Sequence, residues 1–482
     1  MAYKFSKPEL PLKFLVVQDT HPASPVSLDL VSVPAKTEPG FPGKQVGDIA
    51  FIQSNGRYTA LISLGQSEEI IPDTYRQAGG KAGKWLRESG ASAVDFDISY
   101  ADFEADPGAL QAFLEGLVLG AYRFNRYKKD AQVEKQVKVY LRSDKSNAAL
   151  KKMAERIETL LSTIYLTRDW AHEPANIINP ITLAERVRAL ADFAGLKCTV
   201  LDMHTLEAMG AGGIVNVGKG SQTPPQLIIL EYAGVNPEPD AKPVVLVGKA
   251  LTFDSGGYSL KNVDNIQSMK YDKCGGVTVA AALLAAVELK VKVPVIGIIS
   301  SAENMVSAEA YRPDDIITTL SGKTIEIIST DAEGRLVLAD ALTYAQRNYK
   351  PLAVIDLATL TGAVVVSLGH VRAGMMANND ELADCLFKAG EATHERLWRL
   401  PLDDDYFKQI KGDDADLKNS GGRDGGTITA GKFLQQFVEK GTAWAHLDIA
   451  GVADLPKDAP YSPKGASGFG IRLLVHYLES LG

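Results

Sequence analysis

From residue 244 to residue 357 the chain alternates short apolar, β-branched runs with longer stretches of helical period. Residues 244–247, 293–300, 324–328 and 353–357 read as strands, and residues 277–289 and 335–346 as helices. Strands that are apolar at every position are covered on both faces, and strands interleaved with helices build a mostly parallel sheet. In such sheets, sites gather in the loops beyond the carboxyl ends of the strands.

The first third also mixes strands and helices. Residues 12–17, 48–53, 58–64, 92–98 and 136–141 read as strands. Residues 107–128 read as a helix opened by Pro107, with Leu110, Phe113, Leu114, Leu117 and Val118 on one face. A long helical pattern follows at 147–170. The 482 residues exceed what one core usually holds, about 250–300. The expectation is therefore an α/β protein of two domains: a smaller N-terminal α/β domain over 1–146, a connecting helix over 147–170, and a larger C-terminal domain over 171–482, with a mostly parallel central sheet flanked by helices.

Composition narrows the function classes. With 45% hydrophobic and 23% charged residues the chain is of ordinary globular type. A net charge of −8 argues against a nucleic-acid backbone or an anionic membrane as main partner. Cys198, Cys274 and Cys385 form no CxxC pair and no disulfide framework. The N-terminal segment has no secretory h-region, and no apolar run approaches the ~18 residues of a membrane span. The expected compartment is the cytosol.

Acidic residues crowd the segments after the strands. Asp254 stands in GKALTFDSGG, read as a loop beyond the strand ending at Val247; Asp272 stands in MKYDKCGG; Asp331 and Glu333 stand in STDAEGR. If that last segment is extended, residues i and i+2 face one side. Taken singly, each acid reads as a helix cap or dipole partner. Together they are four like charges that raise one another's pKa, and two divalent cations would cancel them. Oxygen ligands suit Mg²⁺ or Mn²⁺, and Zn²⁺ accepts carboxylates. Two such ions about 4 Å apart favour hydrolysis of a carbonyl substrate. Three cations share these segments. Lys249 directly follows a strand and beside two metals would lose its proton and ligate as an amine. Lys261 or Arg335 would stabilise a developing oxyanion.

The segments VGKALTFDSGGYSLK, MKYDKCGG, STDAEGRLVLADAL, LATLTGA and WAHLDIAG closely resemble the leucine aminopeptidase family, also called the cytosol aminopeptidase family. The resemblance runs from about Ala171 to the C-terminus and is fainter before it. It implies a metal-dependent aminopeptidase that releases leucine and similar N-terminal residues from peptides. It implies Lys249, Asp254, Asp272 and Glu333 as ligands of a tighter metal, and Asp254, Asp331 and Glu333 as ligands of a looser one, with Zn²⁺ or Mn²⁺ expected and Mg²⁺ also compatible. It further implies Lys261 as the group that polarises the carbonyl and Arg335 as the holder of a bicarbonate general base. Met269, Thr359, Leu360, Thr361, Gly362 and Ala450 are implied to line the substrate site, and six copies to form a homohexamer. The chain departs from the family's usual residues at Ala250, Asp314 and Ser329, and at Lys273, where a small or apolar residue is usual. No ligand is lost.

Other readings are weaker. Residues 213–219 (GIVNVGK) match the start of a P-loop, but Gly220 stands where the Mg²⁺-binding hydroxyl belongs. There is no G-x-S-x-G, no HExxH, and no histidine beside Cys274. Some bacterial members of the resembled family bind DNA; the negative net charge and the lack of a clear basic stripe in the N-terminal third argue against that for this chain.

Overall fold

The structure is a computed structural model that describes residues 3–482 except 19–20, 32–42, 44, 55, 66–69, 99–105, 130–134, 144–146 and 237–239. Its contacts divide the chain into two compact units. One comprises Pro8–Tyr165 with Leu455–Lys464; the other comprises Met1–Lys7, Leu166–Asp454 and Gly465–Gly482. The division falls inside the long helix Ala148–His172.

Among the described residues, the first unit's sheet has six strands: β1 (Leu12–Gln18), β2 (Val26–Val31), β3 (Ile49–Ser54), β4 (Arg57–Ser63), β5 (Ala93–Asp97) and β6 (Val137–Ser143). Their order is β1-β6-β5-β2-β4-β3, and only β3–β4 pair antiparallel. Two elements were not apparent from pattern alone. β2 carries Ser27 and Asp29 within its six residues, and the helix Pro72–Ser89 hides its period behind Gly79, Gly80 and Gly83. The helix expected over 107–128 ends at Gly120, because its apolar face stops at Leu119 and polar turns follow.

The second unit is built on an eight-stranded sheet. Its strands are β7 (Lys197–Leu201), β8 (Gln226–Tyr232), β9 (Val244–Asp254), β10 (Val295–Asn304), β13 (Ala353–Ala358), β14 (Ala373–Ala377), β15 (Leu397–Arg399) and β17 (Ala443–Asp448). The order is β15-β14-β17-β13-β9-β10-β8-β7, with β17, β13, β9 and β10 forming a parallel block. The expectation of a mostly parallel sheet holds; antiparallel pairs enter outside that block. Val245 and Val247 of β9 pack with Leu336 and Val337 of the helix Gly334–Tyr349. Alternate residues meet the other face, where Gly276 of the helix Cys274–Glu288 lies against Ala250 and Ile299. The run at 324–328 does not join this sheet. Residues Thr324–Glu326 form β12 of a small sheet with β11 (Ile316–Thr318) and β16 (Leu417–Lys418). No helix among the described residues is long and apolar enough to cross a membrane.

Because β17, β13, β9 and β10 are parallel neighbours, their carboxyl ends at Asp448, Ala358, Asp254 and Asn304 open onto one side of the sheet.

Candidate metal centre

Lys249 and Asp254 both belong to β9, which runs past Val247 to Asp254 rather than giving way to a loop. Five residues apart on a regular strand, their side chains would point to opposite faces. The ladder to β10 shifts register: Ala302 pairs with Leu251 and Glu303 with Phe253, leaving Thr252 as an extra residue. This bulge reverses the alternation, so Lys249 and Asp254 face the same side.

Asp272 arrives on the short turn Met269–Lys273, and Glu333 stands immediately before the helix Gly334–Tyr349. Residues 330–333 form a turn rather than the extended segment expected, with Glu333 at φ −80° and ψ −35°. The carboxylates converge through the turn and helix entry instead. Asp254, Asp272 and Glu333 each offer an oxygen within 4.8 Å of the others. Lys249 lies between them, its Nζ 2.9 Å from Asp272 Oδ1, 2.9 Å from Glu333 Oε1, and donating to Thr359 O at 2.9 Å. Gly334 leaves room for this lysine: a Cβ there would come within 2.7 Å of Lys249 Nζ and displace it. Lys261 Nζ lies 2.8 Å from Asp254 Oδ2 and also contacts Asp331 Oδ1.

Four carboxylates thus face two ammonium groups. Burial raises the pKa of Asp272 to about 7 and that of Asp331 to about 6. Burial and neighbouring Glu333 raise Asp254 as well. Burial opposes the charge on Glu333, but Lys249 and Lys261 outweigh it and lower its pKa. Burial likewise opposes the charges on Lys249 and Lys261, and the surrounding carboxylates more than offset it and raise both. The carboxylates around Lys249 thus favour its protonated form, and a divalent ion taking up those oxygens would weaken that hold. Asp272 Oδ2 is buried with no hydrogen-bond partner. A buried carboxylate oxygen left bare is costly, and it faces a cluster of oxygen donors. The donor set suits divalent ions.

These residues line a cavity of about 640 Å³ that also includes Met269, Thr359, Leu360, Thr361, Gly362 and Ala450. Arg335 does not line it. Its guanidinium lies 6.0 Å from the Phe433 ring, its Nε has no partner, and burial lowers its pKa to about 10.

Three further residues shape the site without having stood out by motif. Asn304 donates to Asp254 Oδ1 at 2.8 Å and to Thr330 O at 2.9 Å. Thr330 Oγ1 donates to Gly256 O at 2.6 Å and accepts from Ser259 N, fixing the loop that carries Lys261. Asp448 accepts from the amides of Leu360 at 3.1 Å and Ala450 at 3.2 Å and from Thr361 Oγ1 at 2.6 Å. The available signal was position: Asn304 and Asp448 are polar residues that close apolar strands. His446 packs locally, with Nδ1 2.5 Å from Asp356 Oδ1. Asp314 takes φ +71°, which explains a glycine as the usual residue there. The P-loop-like segment offers no phosphate cradle: Ile214 N donates to Asp340 Oδ2 at 2.9 Å, and Gly213 N bonds the same carboxylate.

Residues 165–475 match the pattern of the cytosol aminopeptidase family, catalytic domain, and residues 42–131 that of the family's N-terminal domain. The chain belongs to the cytosol aminopeptidase family. Its activity class is accordingly that of a metal-dependent aminopeptidase. It is 43% identical over 452 residues to a probable cytosol aminopeptidase of Syntrophotalea carbinolica, covering 91% of this chain and 89% of that protein. It is 39% identical over 429 residues to the cytosol aminopeptidase of Rickettsia prowazekii, covering 88% and 85%. Among solved structures, a mutant of tomato leucine aminopeptidase superposes with a TM-score of 0.87 at 29% identity, covering 99% of this chain and 98% of that one. The bottromycin maturation enzyme BotP in complex with Mn superposes with a TM-score of 0.86 at 33% identity, covering 95% and 100%.

Proposed function

We propose that this cytosol aminopeptidase removes leucine and similar residues from peptide N-termini with two divalent ions held by Lys249, Asp254, Asp272, Asp331 and Glu333. The observation that carries the reading is the convergence of Asp254, Asp272 and Glu333 oxygens within 4.8 Å, with Asp272 Oδ2 buried and unpartnered. BotP, a structural relative, has been solved with Mn, which favours Mn²⁺ here, with Zn²⁺ the alternative and Mg²⁺ also compatible. Such ions supply Lewis acidity at the scissile carbonyl and a nucleophile acidified at neutral pH.

The chain's own residues do the rest. Lys261, held charged by Asp254 and Asp331, offers N–H donors to the oxyanion as it develops. The 359–362 loop, pinned by Asp448, and Met269 and Ala450 orient the substrate in the cavity. Arg335, buried with Nε unpartnered, would hold a bicarbonate, which would serve as proton acceptor.

The test is hydrolysis of leucine p-nitroanilide by purified protein, after chelation and after Mn²⁺ or Zn²⁺ is added back. Activity lost on chelation and regained with metal supports the reading. No activity with any metal, on this or on a panel of other N-terminal residues, would sink it.

A further inference from the structure

Lys273 sits beside Asp272 but points away from the acidic cluster. Its side chain is fully buried, among the largest such side chains in the described structure. An ammonium in that setting is costly unless each N–H finds an acceptor. Lys273 Nζ donates to Ala171 O at 3.1 Å, to Glu173 O at 2.8 Å, and to Lys270 O. Ala171 and Glu173 stand at the carboxyl end of the helix Ala148–His172, whose last carbonyls have no partners within the helix and carry its negative dipole end. Lys270, from the same turn, donates to His172 O at 3.0 Å. Two lysines of one five-residue turn thus plug one helix terminus, and Asp272 lies between them in sequence.

We propose that Lys273 is a positioning residue: its caged ammonium anchors the Met269–Lys273 turn so that Asp272 is presented to the metal centre. This rests on reading Asp272 as a metal ligand. Burial draws the Lys273 pKa down to about 7, but a neutral amine has only two N–H donors for three carbonyls, so the cage favours the ammonium. Beside this cage, the turn is held by the buried Tyr271 ring, which meets the His172 ring edge-on at 5.5 Å. Ser268, just before it, is in the left-handed region at φ +72°. Asp272 itself is tied only through Oδ1, to Lys249 and to Thr359 Oγ1 at 2.7 Å, and through its backbone carbonyl to the same hydroxyl. The residue that supplies the anchor is also one where this chain departs from the family's usual small or apolar side chain.

The experiment compares full-length wild type with Lys273→Met, which keeps the methylene volume, and Lys273→Gly, which empties the cage. Mn²⁺ binding to chelated protein is followed by calorimetry, and melting temperature is recorded alongside. The expected result is wild type that binds two Mn²⁺, and variants in which one of those ions binds roughly 10–100-fold more weakly. Ammonium or methylammonium chloride restores Mn²⁺ affinity to Lys273→Gly, while sodium chloride at equal ionic strength does not. Variants that melt lower but bind Mn²⁺ as wild type does would reduce Lys273 to a structural role and overturn the proposal. So would weakened binding in Lys273→Gly that small ammonium ions leave unchanged. Wild type that binds no Mn²⁺ would instead overturn the metal reading itself, and this proposal with it.

Discussion

Lys249 and Lys261 both lie among carboxylates, yet their surroundings assign them different work. Lys249 is buried between Asp272 and Glu333, where a metal ion would compete for the same oxygens. Lys261 is less buried and lines the cavity. Lys261→Ala is expected to lower kcat by about 10²–10³-fold with Mn²⁺ content unchanged, read by steady-state kinetics and metal analysis. A kcat that survives, with metal content altered, would make Lys261 a charge partner of Asp254 and Asp331 only. The same residues set a pH dependence. Asp272, Asp331 and Asp340 have folded pKa values raised to about 7, 6 and 7 from 3.8. Between those limits the folded apo-protein binds more protons than the unfolded chain, so its stability falls as pH rises from about 4 to about 7. Bound metal would replace the protons on Asp272 and Asp331, though not the one on Asp340, and should therefore weaken or reverse the trend. Melting curves of chelated and Mn²⁺-loaded protein at pH 5.5 and 7.5 check both signs.

At the scale of elements, the site depends on how strands end. The bulge at Thr252 turns Asp254 toward Lys249, and Asn304 and Asp448 close neighbouring strands with side chains that hold loops. Asp448→Ala strips the Leu360 and Ala450 amides and the Thr361 hydroxyl of their acceptor. A buried donor left unpaired costs about 1–3 kcal/mol; these donors are partly buried and the Thr361 hydroxyl also meets Thr427 Oγ1, so the loss per donor falls at or below the low end. Denaturant melts should register that loss, and the loosened 359–362 loop should raise KM for leucine substrates more than it lowers kcat. An unchanged KM would mean that the loop holds its shape without Asp448.

For the whole molecule, metal binding is coupled to folding. Ions that bind only the native state at 100 times their Kd add about 2.7 kcal/mol each. Chelation should therefore lower the melting temperature, and Mn²⁺ should restore it in a concentration-dependent way; a melting temperature indifferent to chelator and metal would exclude a tightly held ion. Family resemblance also leads us to propose a homohexamer, for which light scattering should return six times the chain mass of 51.8 kDa.

Local chemistry was legible along the chain. Helical and strand periods depend on neighbours a few residues away, so the helices 274–288 and 334–349 and the cores of β9, β10 and β13 could be read directly. The acidic and glycine-rich strings named the family and the residues to examine. Tertiary structure decided what periodicity cannot encode. Whether Asp254 shares a face with Lys249 depends on an extra residue in a ladder whose partner strand begins 41 positions beyond Asp254. Whether Lys249 is a cation depends on carboxylates from three separate segments. Lys273 reads in sequence as a charge crowding Asp272, and only the carbonyl end of a distant helix shows where that charge is held. Arg335 reads in sequence as one more charge of the acidic string, and only the fold shows its guanidinium buried, 6.0 Å from the Phe433 ring. Sequence determines which groups are available and what local form carries them. Their protonation and direction follow from the charges and backbone that the fold packs around them.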